Sequence, residues 1–157
     1  MILDKTLELR ATGGDFSQEP GTVNLHDAAI DLGVARDIGQ IADGPLYCVI
    51  VIETAADGGA TTTGTMSFQV VSDGTSTIST TTQSVHVATK AFTAAELPAG
   101  RVISIPLPPG NDQEPYERYL GLQVVQAVEG EDDCVGRAFL STHPFGGVDK
   151  SYPDAVN

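Results

Sequence analysis

Three histidines, two cysteines and one run of carboxylates are the residues of this sequence best suited to chemistry. His26, His86 and His143 lie on separate predicted elements. None has an i, i+2 or i, i+4 partner of ligand type, so the convergence that a metal site needs is missing. A metal-binding jelly roll of the cupin kind would cluster histidines with a carboxylate on adjacent strands, and that cluster is absent too. The histidines are expected to be structural or exposed, with no bound metal. The densest acidic run is Glu129, Glu131, Asp132 and Asp133. Calcium favours such oxygens, but the glycine placement of a helix–loop–helix calcium site is missing, so a solvated turn between two strands is expected.

Other catalytic sets are equally hard to assemble. Paired carboxylates for glycoside hydrolysis are available by number alone. Sugar sites usually add aromatic platforms, however, and the chain has no Trp, five Phe and four Tyr, with most Phe at core-like strand positions. No serine sits in a Gly-x-Ser-x-Gly elbow. The glycines near residues 13, 33, 39 and 58 are not followed by Gly-Lys-Ser/Thr, so no phosphate loop is present. No set of nucleophile, base and orienting group can be proposed. The expectation is a protein without enzymatic activity, catalytic residues or cofactor.

Cys48 and Cys134 are the only cysteines, far apart and each within a predicted strand. Disulfide-built secreted domains carry a denser pattern, so both are read as buried thiols rather than a bridge. The formal net charge is −13, with residues 11–60 at −7 and residues 101–157 at −5. Such acidity repels phosphate backbones and anionic membranes, which argues against nucleic-acid and membrane partners. It favours solubility and steering towards basic surfaces. Met1 to Lys5 shows no basic stretch followed by an apolar run. The longest apolar run, Leu46 to Ile52, is about a third of a bilayer span. Synthesis in a cytoplasm, in soluble form, is expected.

The elements that would position these residues read mainly as strands. The 157 residues suit one domain, 1–157, and 41% hydrophobic against 18% charged residues is a globular balance. Ile2 to Leu9 is the first strand, broken by Gly13-Gly14. Thr22 to Leu25 and Ala29 to Leu32 are short extended pieces, with Asp27 and Asp31 suited to turns and caps. Arg36 to Gln40 reads as a loop. Leu46 to Ile52 is short and β-branched, a strand covered on both faces. Met66 to Val70 alternates as a half-buried strand. Asp73-Gly74 signals a turn. Thr75 to Thr89 is either a low-complexity linker or edge strands, and Ile78, Val85 and Val87 favour strands. A helical turn is expected near residues 93–97, where Thr93 and Glu96 have capping-box spacing and Pro98 and Gly100 follow. Val102 to Leu107 is a strand ended at an edge by prolines. Tyr119 to Val128 and Cys134 to Thr142 read as a hairpin. Seven or eight strands with one helical turn argue for an all-β fold, a two-sheet β sandwich. A jelly roll is the first choice and an immunoglobulin-like sandwich the second; the pattern does not give strand order.

With the strands placed, the chain resembles a known family. The opening Met1-Ile2-Leu3-Asp4-Lys5-Thr6-Leu7-Glu8-Leu9 looks like the start of the jelly-roll cement proteins that decorate the heads of Bordetella phage and related short-tailed phages. Ile30-Asp31-Leu32-Gly33, Arg36-Asp37-Ile38-Gly39, the strand Leu46 to Thr54, Glu117-Arg118-Tyr119-Leu120 and Lys150-Ser151-Tyr152-Pro153-Asp154 resemble successive stretches of that family, in its order. The Thr-rich middle, Gly58 to Thr82, departs from it.

The resemblance implies a jelly-roll subunit on the outside of a shell of major capsid protein, forming a symmetric homo-oligomer, first of all a dimer, with no catalytic residues. The segments 1–10 and 143–157 are candidate contact or oligomerisation arms, with Ile2, Leu3, Leu7, Leu9, Phe145, Tyr152 and Val156 as candidate interface residues. The ordinary alternative is that these segments only close the sandwich. At the level of function, the alternatives to cement are a virion module that binds host carbohydrate or a receptor, and a small hydrolase or metal-dependent enzyme.

Overall fold

A computed structural model describes residues 5–16, 21–24, 29–35, 38, 40–41, 44–56, 64–109, 115–127 and 134–144. Its strands are β1 (Glu8–Asp15), β2 (Gly21–Asn24), β3 (Ile30–Asp31), β4 (Gln40–Ile41), β5 (Gly44–Pro45), β6 (Tyr47–Thr54), β7 (Met66–Asp73), β8 (Ser84–Ala88), β9 (Val102–Pro106), β10 (Tyr119–Gln126) and β11 (Val135–Ser141). Short 3-10 turns occupy Lys5–Leu7 and Ala94–Glu96.

Two sheets form the sandwich. The first has the order β1-β11-β6-β9. The second has the order β2-β10-β7-β8, with β3 continuing the edge of β2 along β10. If β2 and β3 count as one interrupted strand and the separate two-stranded β4-β5 sheet is set aside, the pairing of the remaining eight is nested: first with last (β1 with β11), second with seventh (β2/β3 with β10), third with sixth (β6 with β9) and fourth with fifth (β7 with β8). All four pairings are antiparallel. A long nested hairpin folded over itself into two sheets is the jelly roll.

Period-two alternation fills the space between the sheets. Cys48, Ile50 and Ile52 of β6 and Ala138 and Leu140 of β11 face Met66, Phe68 and Val70 of β7 and Leu120, Leu122 and Val124 of β10 in one core cluster. Phe16 meets Phe68 edge to face, at 5.5 Å and 73°. Each of the buried Ile, Leu, Val, Met and Phe side chains among them stabilises the fold by about 1.5–3 kcal/mol. β6 is buried on its outer face as well, where Val49 and Val51 pack with Phe139. That double burial matches its unbroken β-branched run.

Four sequence expectations require correction. Strand β1 starts at Glu8, because Lys5–Leu7 form a 3-10 turn, and it runs through Gly13-Gly14; Ile2 to Asp4 lie outside the described residues. The glycines permit irregular pairing instead of ending the strand: Gly13 takes φ +76 and the register against β11 shifts on its N-terminal side. Thr75 to Gln83 is a folded loop, and strand resumes only at Ser84. The hairpin expected from β10 and β11 does not form. The two strands lie in different sheets, because β10 pairs with β7 while β11 is inserted between β1 and β6. A second helical turn, at Lys5–Leu7, was not anticipated.

Candidate functional site

The register places several connections at one end of the sandwich. Tyr47 pairs with both Pro106 and Ser141, Tyr119 pairs with both Asp73 and Asp31, and Ser72 pairs with Ser84. The connections 32–46, 74–83 and 107–118 therefore share this end. The chain also enters the sandwich near it, at Glu8 opposite Phe139, and leaves it after Ser141.

Asp31 and Arg118 organise this end. β3 lies on β10 with Leu120 opposite Ile30, and Leu32 N–H donates to Arg118 O at 2.9 Å. The Arg118 guanidinium grips the Asp31 carboxylate through Nε and Nη2, both at 2.8 Å. Gly33 N–H also donates to Asp31 Oδ1 at 2.8 Å, and Gly33 takes φ +80, where a side chain would be strained. Arg118's fork is the main reason that the Asp31 carboxyl is held down at about 2, with the Gly33 N–H next. Arg118 also lies over the Tyr119 ring, at 5.0 Å. Just past this lock stands Val34, 59% exposed.

Next to it is a network that sequence reading did not reveal. Residue His86 is the extra residue of a bulge, since Val85 pairs with Val71 and Val87 with Val70. Its ring stacks on Tyr116 at 3.9 Å, and Nε2 lies 2.7 Å from Ser72 Oγ. Ser72 Oγ accepts the Glu117 N–H at 2.9 Å, Ser84 Oγ donates to Glu117 Oε1 at 3.2 Å, and Tyr116 OH donates to Pro108 O at 2.8 Å. A serine hydroxyl against an imidazole is the geometry of nucleophile activation. Here Ser72 is fully buried and its oxygen already accepts a backbone N–H, so no substrate carbonyl can reach it. These contacts tie the 107–118 connection to the second sheet.

Asp73 builds the loop that follows β7. Its carboxylate accepts Thr75 N–H at 3.1 Å, Ser79 N–H at 3.0 Å and Thr82 Oγ1–H at 3.1 Å. Burial raises its pKa, but these hydrogen bonds outweigh that and leave it below the usual carboxylate range. Ile78 of the loop is buried, and Gln83 and Gln123 exchange amide hydrogen bonds. A Ser/Thr-rich stretch is thus organised around one carboxylate, with Ile78 and the Gln83–Gln123 pair as further ties.

At the opposite end, Phe92 is buried with Lys90 at 5.1 Å and Arg101 at 4.9 Å from its ring centre. Glu96 pairs with Lys90 and accepts Thr93 N–H at 3.0 Å, as the Thr93–Glu96 spacing led us to expect. Its carboxyl is lowered, first by Lys90 and then by Thr93.

Of the candidate interface residues, Leu7 is exposed, at 39%, whereas Leu9 is fully buried in the core. Ile2, Leu3, Phe145, Tyr152 and Val156 lie outside the described residues, as do His26 and the acidic run Glu129 to Asp133. His143 is exposed beside Thr142 Oγ1. Among the described residues, no three of His, Cys, Asp and Glu are grouped to hold a metal ion. Cys48 and Cys134 are buried thiols, not joined in a disulfide, and burial pushes Cys48 up to about 12. No helix among the described residues is long and apolar enough to cross a membrane.

These features define a jelly-roll protein whose polar clusters fasten its own connections. The Bbp16 family model matches residues 22–130, well over half of the sequence, and the chain belongs to this Bordetella phage protein family. The matched segment spans β2 to β10; β1 and β11, which close the first sheet, lie outside it. No curated protein matches the chain.

Proposed function

We propose that this chain is a structural virion protein that decorates and cements a phage capsid. It binds the outside of the major capsid protein shell as a symmetric homo-oligomer, first of all a dimer, and it has no catalytic role and no cofactor. The observation that carries this reading is a jelly roll of a phage protein family in which Ser72, His86, Asp73, Asp31 and Arg118 all hold backbone or each other. Connections fastened by polar contacts among their described residues suit repeated side-chain contacts, which symmetry multiplies by avidity.

Strand addition is a poor contact mode for this molecule. Among the described residues, the outer strands of the two large sheets are irregular or short: β1 shifts register, β8 carries a bulge, the β2/β3 edge is broken, and the five-residue β9 ends at Pro106. The alternative, a carbohydrate- or receptor-binding module, asks for exposed aromatic platforms. Among the described residues Phe16, Phe68, Phe92, Tyr116 and Phe139 are buried, and Tyr47 and Tyr119 are half-buried.

The test is reassembly on heads of the encoding phage stripped of this protein. Purified chain should co-sediment with them at micromolar concentration and raise their melting temperature. Heads that neither bind it nor melt later would overturn the proposal.

A further inference from the structure

We infer that the end of the sandwich carrying the 32–46 connection is the docking end, with Val34 as its central apolar anchor and Leu7 as a second. The inference rests on the cement reading and says which part of the subunit meets the shell.

Three independent observations converge on this end. Leu7 and Val34 are the two large hydrophobic side chains that stand exposed among the described residues, and both lie here. A lone exposed apolar side chain is ordinary, but this one stands on a prepared support. Val34 follows a left-handed Gly33 that is bonded to Asp31, and Asp31 is gripped by both arms of Arg118. The support is also rooted in the core, because Ile38 is buried there and Leu32 and Leu46 pack against it. An anchor held rigid before binding loses little conformational freedom on docking.

The 32–46 connection, finally, has structure of its own. It contains β4 and β5, paired through Gln40–Pro45 and Ile41–Gly44. Long connections with internal structure are where compact domains carry their contacts. In the neighbouring connections, the described residues of 74–83 and 107–118 are braced by Asp73 and by the Ser72–His86–Glu117 network.

The partner surface follows from chemistry. Val34 requires an apolar pocket. The chain as a whole is strongly acidic, with a formal net charge of −13. The rim of that pocket is therefore basic, which favours fast, salt-sensitive capture by the shell. An apolar anchor inside a charged rim is the usual anatomy of a protein–protein contact.

Val34→Asp and Leu7→Asp, made singly in the full chain, test this on stripped heads. Both side chains are exposed, so the variants should keep the wild-type circular dichroism and melting temperature. Ala95→Asp, exposed at the opposite end, is the control. Val34→Asp should weaken binding at least tenfold, Leu7→Asp less, and Ala95→Asp not at all, while the sedimentation coefficient of the free protein stays unchanged. Wild-type binding by Val34→Asp, or a loss confined to Ala95→Asp, overturns the inference while leaving the cement reading in place. So does a Val34→Asp protein that falls apart into smaller units yet still binds heads, because the end would then join copies of this chain. If the wild-type chain itself fails to bind, the cement reading fails first.

Discussion

Asp31 and Arg118 are 87 residues apart in the chain and meet as a bidentate pair. Nothing in their spacing announces this. Asp31 has the residue type of a turn former, and Arg118 carries no local signal at all. What sequence did offer was the likeness of Ile30–Gly33 and Glu117–Leu120 to two stretches of one family, and the fold lays those stretches side by side. Ser72 and His86 were illegible for a different reason. The serine faces the histidine only because a bulge re-aims it, and bulges have no reliable signature in a single strand. The pH dependence of the Asp31 pair follows from its sign. The folded carboxyl sits at about 2 against an ordinary 3.8, so its contribution is fully present above pH 3.8 and is lost as pH falls through 2. The pair is half-exposed, so the effect is modest and screened by salt. Denaturant midpoints measured between pH 4 and pH 2 should fall less steeply in Arg118→Met than in the wild type, and the difference should shrink in high salt. Parallel curves at low salt would show that the pair adds nothing.

At the level of elements, strand positions were legible where hydrophobic pattern and length agreed. β6, β7 and β9 fall where β-branched runs and alternation put them, and the helical turn falls where Thr93 and Glu96 put it. Reading failed where a side chain or a distant strand overrode local preference. Thr-rich residues 75–83 have good strand propensity, but Asp73 offers their N–H and O–H groups better partners. β10 and β11 look like a hairpin because they are adjacent and separated by polar residues. The nested pairing separates them, because β11 belongs beside β1 and β6. Gly136 shows how tight that insertion is. A Cβ there would lie 2.2 Å from Val51 O and 2.6 Å from Phe16 Cε2, at the point where β11 shifts register against β6. Gly136→Ala should destabilise the chain by about 1–3 kcal/mol, read as a lower denaturant midpoint at unchanged m-value. A neutral result would mean that β11 sits more loosely between its neighbours than this packing requires.

At the scale of the molecule, the jelly roll gathers three connections and both ends of the paired chain on one side, fastens the described parts of them with polar contacts, and leaves the outer strands of its two large sheets irregular or short. Irregular outer strands disfavour self-addition, and the net charge of −13 would steer the proposed subunit towards a basic partner surface. On the proposed cement reading, modest contacts repeated over a shell would add up by avidity to resist internal pressure. The most direct measurement is a reconstruction by electron cryomicroscopy of the mature head of the phage that encodes this chain. The account predicts eight-stranded sandwiches standing on the outer surface of the major capsid protein, related by symmetry, with Val34 turned towards the shell. A bare outer surface, or this sandwich located in the tail or the head interior, would contradict it.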